Sequence, residues 1–131
     1  MTTMVELLAG IGAHLAAFEL PAVASVHIAA GMPVPPVTVQ LRRHEPSAVA
    51  RGLVAWADTL TQVTVEAWRV PEGDSTHLSV AGLLPSGTAV RIYGGLSAST
   101  GGLGADLAPD ATTTIPLAAL RHAASIEEAT A

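Results

Sequence analysis

From Thr61 to Gly95 the chain alternates apolar and polar residues. Val63, Val65, Ala67, Leu78, Val80, Val90 and Ile92 fall on one parity. Thr64, Glu66, Trp68, His77, Ser79, Arg91 and Tyr93 fall on the other. A period of two is the signature of a strand with one face buried, and it fixes register. The pattern predicts three strands, 61–70, 75–84 and 88–94. They are joined by two turns of one recipe, Val70-Pro71-Glu72-Gly73 and Leu84-Pro85-Ser86-Gly87. Proline presets φ at the first central turn position, and the glycine two residues later supplies a left-handed residue.

Upstream the period changes. Thr3 and Glu6 form a capping box ahead of Leu7, Leu8, Ile11, Leu15 and Phe18, which recur at three and four. This predicts an amphipathic helix over 3–18, with His14 beside its stripe. Two short β-rich runs follow, 23–29 and 37–42, around a proline-rich loop. In the second, Val37, Val39 and Leu41 oppose Thr38, Gln40 and Arg42; in the first, Val26 and Ile28 oppose Ser25 and His27. A second helix is expected over 46–60, with Val49, Leu53, Trp56, Ala57 and Leu60 on its buried stripe.

After Gly95 the sequence turns small and glycine-rich, which reads as a linker or loop over 96–114. A tail over 115–131 follows, in which IPLAALRHAASIEEA predicts a short helix capped by Thr114, fraying where Glu127 and Glu128 oppose the helix dipole. The expected fold is a two-layer α+β domain over 1–95, in the order α-β-β-α-β-β-β plus the C-terminal helix. It has about five mainly antiparallel strands and two helices on one face.

Composition narrows the chemistry. With 131 residues, half of them hydrophobic, the chain is long enough for one domain with a real core. There is no cysteine, which excludes disulfides, thiolate zinc sites and a thiol nucleophile. There is no lysine either, and six arginines face eleven acids for a net charge of −5. Duplex binding draws its affinity from phosphate contacts, so duplex DNA is not an expected partner. The N-terminus lacks a basic n-region, and prolines interrupt the weakly polar run 20–39. No membrane partner is expected, and the expected location is the cytoplasm.

No catalytic motif emerges. Ser79 and His77 share a strand face, but Asp74 lies in a turn and no nucleophile elbow is present. His27, His77 and Glu66 lack metal-ligand spacing, and the glycines at 101–104 match no phosphate-binding loop. No catalytic, metal or cofactor residues are therefore assigned. What remains is the polar parity of the sheet, carrying Trp68, Tyr93, His77, Arg91, Glu66, His27, Gln40 and Arg42. Trp, Tyr and Arg are the residues of binding hot spots. The leading expectation is a non-enzymatic protein-binding or regulatory module acting through that face, with an unidentified protein or a second copy as partner. One alternative is a small-molecule binder or enzyme with a pocket between sheet and tail. Another is a single-strand nucleic-acid binder, since bases stack on sheet aromatics. The simplest rival is internal cover, with the tail helix folded back over the aromatics.

The stretches HLAAFELP, VTVQL, LVAWADTLTQVTVEAWR and GDSTHLSVAGLLPSGTAVRIYGG resemble a group of small uncharacterised proteins of high-GC actinobacteria, often encoded in mobile elements. The resemblance spans residues 14–95. It implies a host and a genetic context, and it carries no activity to particular residues.

Overall fold

A computed structural model describes residues 3–21, 23–30, 35–42, 46–71, 75–97 and 107–130. Among them are three helices and a six-stranded, mostly antiparallel open sheet. The first helix, α1 (Met4–Ala17), starts as its capping box dictates. The Thr3 side chain accepts the Glu6 N–H at 3.2 Å and donates to the Glu6 carboxylate at 3.2 Å.

The buried stripe of α1 differs from the expected one. Leu7, Ile11 and His14 are buried, while Leu8 and Phe18 are exposed. The reason is a tertiary partner for His14. The Thr59 hydroxyl donates to the Trp56 carbonyl at 2.7 Å, so His14 Nε2–H donates to Thr59 Oγ1 at 2.8 Å. The imidazole also stacks on Trp56, with ring centroids 5.5 Å apart. A satisfied polar ring with an aromatic neighbour fills this place, and Phe18, itself exposed, packs on that ring with centroids 4.8 Å apart. Burial pushes the His14 pKa below its ordinary value.

The strands are β1 (Val23–Ile28), β2 (Val37–Leu41), β3 (Thr61–Arg69), β4 (Ser75–Leu83), β5 (Ala89–Ser97) and β6 (Thr112–Thr114). Their order across the sheet is β1-β2-β5-β4-β3-β6. All neighbours are antiparallel except β2 and β5, which run parallel. Helix α2 (Pro46–Ala57) connects β2 to β3 across the width of β5 and β4. Its expected stripe is buried in full, with Val49, Leu53, Trp56 and Ala57 on the helix and Leu60 beyond the turn that ends it three residues short of the expected end at 60. They pack with Val37, Val39, Leu41, Val65, Leu78, Val80, Val90 and Ile92, the apolar parity of the strands. A Cβ added to Gly94 would come within 2.8 Å of Val49 Cγ1, which places α2 directly on that face.

The segment expected to be a linker ends in structure. Thr112–Thr114 form β6 along the outer edge of β3, and β5 extends to Ser97, beyond the expected end at residue 94. Thr114 therefore belongs to a strand and does not cap the last helix. Helix α3 (Leu117–Thr130) begins on the Pro116 carbonyl, which accepts from Ala119 and Leu120 N–H, and covers most of the stretch Ile115–Ala129 in which a helix was expected. Ile115, Leu120 and Ala124 enter the same core cluster as α2. Arg121 clamps Asp58, just past the end of α2, by donating from both terminal guanidinium nitrogens to its carboxylate. The tail helix thus lies beside α2, and not over the aromatics of the opposite parity.

The second turn is built as its sequence demands. Gly87 sits at φ +90°, its N–H bonded to the Leu84 carbonyl at 2.8 Å, and Leu84 N–H returns to the Thr88 carbonyl at 2.9 Å. Its twin, Gly73, lies outside the described residues. A β-branched residue resists positive φ, so Gly87→Val is expected to cost about 1 kcal/mol or more. An unchanged urea midpoint would contradict that conformation.

Candidate functional site

Strand register turns the polar parity into three cross-strand rows. The first runs Thr112, Trp68, His77, Gly95. The second runs Thr114, Glu66, Ser79, Tyr93, Gln40, Ser25. The third runs Thr64, Ala81, Arg91, Thr38, His27. Glu66, Arg91, His27 and the threonines of β6 are exposed, and Trp68, His77 and Tyr93 are half-buried.

Three rings at the centre of this face touch in series. Trp68 meets His77 edge-on at 5.5 Å, and His77 stacks on Tyr93 at 5.9 Å with planes 10° apart. Each end is anchored. Trp68 Nε1–H donates to Asp110 Oδ1 at 3.0 Å. The Tyr93 hydroxyl donates to Gln40 Oε1 at 3.4 Å, where the Ser25 hydroxyl also donates at 3.4 Å. Partial burial, and then the Arg91 guanidinium, pushes the His77 pKa below its ordinary value. His77 is therefore a neutral aromatic partner at neutral pH. A shallow depression lined by Glu66, Trp68, Ser79, Arg91 and Thr112 lies beside the rings.

Of the eight residues singled out from the sequence, six form this cluster: Trp68, His77, Tyr93, Glu66, Arg91 and Gln40. His27 lies at the far margin on β1. Three strand spacings, about 14 Å, and two rows along the strands separate it from His77; four spacings, about 19 Å, and one row separate it from Glu66. Those distances explain why the three do not converge. Among the described residues, no group of three His, Asp or Glu could hold a metal ion. Arg42 follows the last residue of β2 and is exposed outside the rows.

Asp110 is the residue that sequence reasoning missed. It adopts φ +64°, which aspartate tolerates better than most side chains. Its N–H bonds the Arg69 carbonyl at 2.8 Å, while Arg69 N–H bonds the Ala111 carbonyl at 2.9 Å. These two bonds bring the 108–111 turn to the end of β3 and set the carboxylate under the indole. The available signal was Pro109-Asp110 followed by Thr112-Thr113-Thr114-Ile115, a turn pair ahead of four β-branched residues.

Among the described residues, no helix is long and apolar enough to cross a membrane. The chain matches no protein-family model, no curated protein and no solved structure.

Proposed function

We propose that this protein is a non-enzymatic binding module, working in the cytoplasm, that associates through the open face of its sheet, with a second copy of the chain as the partner. The observation that carries this reading is the anchored series of rings Trp68–His77–Tyr93 on the face opposite α2. Large rings held still by hydrogen bonds have already lost their rotamer freedom, so docking against them costs little further entropy. Tryptophan and tyrosine beside arginine are the side chains from which interfaces draw most of their energy. The shallow depression by Glu66 and Arg91 favours a second reading, a site for a small polar molecule. Single-strand nucleic acid finds less support, because among the described arginines only Arg91 stands in the three rows.

Sedimentation of Trp68→Ser against the parent tests the proposal. Trp68 is half-buried and at the surface of the sheet, so its loss should leave the fold intact. The parent is expected to sediment as an associated species at micromolar concentration and the variant as a monomer, with the same circular dichroism. Association that survives the substitution would place the contact elsewhere.

A further inference from the structure

The open face is not symmetric about its central strand, and the asymmetry is of a self-complementary kind. β4 lies between β3 and β5. On the β3 side the face carries a bulky ring, Trp68, and an acid, Glu66. On the β5 side, in the row of Trp68, it carries Gly95, which has no side chain to project, and one row past Tyr93 a base, Arg91. Neither Glu66 nor Arg91 makes an ion pair among the described residues.

We infer that the partner, a second copy of this chain, packs face to face about a two-fold axis running along β4. This rests on the open face being the association surface. Such an axis keeps height along the strands and exchanges β3 for β5. Trp68 of each copy then enters the notch over Gly95 of the other. Tyr93 of each copy lies over the depression beside Glu66 of the other. Glu66 of one copy stands one row from Arg91 of the other, across sheets about 10 Å apart, within reach of the two long side chains. Each of these contacts occurs twice, as a two-fold interface requires.

About this axis β3, β4 and β5 of one copy face those of the other; at about 3.3 Å per residue and 4.8 Å per strand they contribute about 430 Å² from each partner, a small interface beside the standard of about 800 Å². The pair also leaves no open aromatic row for a third molecule, so it closes as a dimer.

Charge reversal tests the axis by sedimentation equilibrium. Glu66→Arg alone sets arginine against arginine twice, and Arg91→Glu alone sets acid against acid twice. Each is expected to weaken self-association about tenfold or more. Mixed in equal amounts, the two variants restore both opposite-charge contacts, so a heterodimer of near-parental affinity is expected. Gly95→Leu fills the notch and is expected to give a folded monomer. An added Cβ there meets only His77 at 3.6 Å, and Gly95 does not have positive φ. Circular dichroism checks that each variant folds, and recovery in the mixture cannot come from misfolded chains.

The outcomes separate this inference from the reading it rests on. If the parent associates and Trp68→Ser abolishes it, but the mixture fails to recover, the face is right and the axis is wrong. If Trp68→Ser leaves association unchanged, both fall. A parent that stays monomeric at high micromolar concentration overturns the second copy as partner.

Discussion

Trp56→Ala is expected to cost about 3–5 kcal/mol, the range for removing a fully buried large side chain. That is a large part of the about 5–15 kcal/mol that holds a domain of this kind together. Trp56 is wholly buried on α2, within the cluster that joins the sheet to all three helices. Its ring is also the platform on which His14 stacks, so the truncation loosens α1 from α2 as well as opening a cavity. Among the described residues the indole N–H has no hydrogen-bond partner, so its removal forfeits no such bond. Trp56→Phe, which keeps a ring and removes that donor, is expected to cost much less. Urea midpoints of the two variants check the difference. Near-parental stability of the alanine variant would mean that the helices are not held through this ring.

Gly82→Val is the second large expectation, about 1–3 kcal/mol, the usual cost of overpacking. β3 carries an irregularity between Thr61 and Thr64, where Gln62 adopts φ +54°. The irregularity brings the Thr61 carbonyl over β4. A Cβ at Gly82 would stand 2.9 Å from that oxygen and 3.0 Å from Leu60 Cβ. Backbone cannot swing aside as a side-chain tip can. Valine suits strands better than glycine, but that scale spans only about 1 kcal/mol, so the clash decides the sign. Thermal unfolding of Gly82→Val beside Gly95→Ala checks it. Equal midpoints would show that the close approach is absent.

The parts of the fold that could be read from the chain are those in which a local pattern meets a local cause. Alternation over 61–94 placed the core and open parities, and Leu84-Pro85-Ser86-Gly87 forecast a left-handed glycine that the structure contains. The stripe of α2 was legible because its apolar residues repeat with the helix period. Failures came where a partner distant in sequence decides. His14 took the place expected for Phe18 because Thr59, 45 residues away, satisfies its ring. Alternation shows which way a strand faces but not which strand lies beside it, so the parallel pairing of β2 with β5 was out of reach. β6 escaped because three threonines are too few for a period to show. Val26 keeps the parity expected of it, paired with buried Val39 opposite Ser25 and His27, and is exposed because β1 is an edge strand. Of the candidate site, the aromatic and charged residues could be placed by parity. The anchor under Trp68 could not, because Asp110 reaches it from 42 residues away.

The open face as the working surface is most directly tested by Trp68 fluorescence in a Trp56→Phe background, where Trp68 is the sole tryptophan. Iodide quenching is measured across a protein dilution series. The account predicts a ring open to iodide when the protein is dilute and shielded as concentration rises, with a midpoint matching that of sedimentation. Quenching that stays the same at every concentration, while the protein associates, would contradict it.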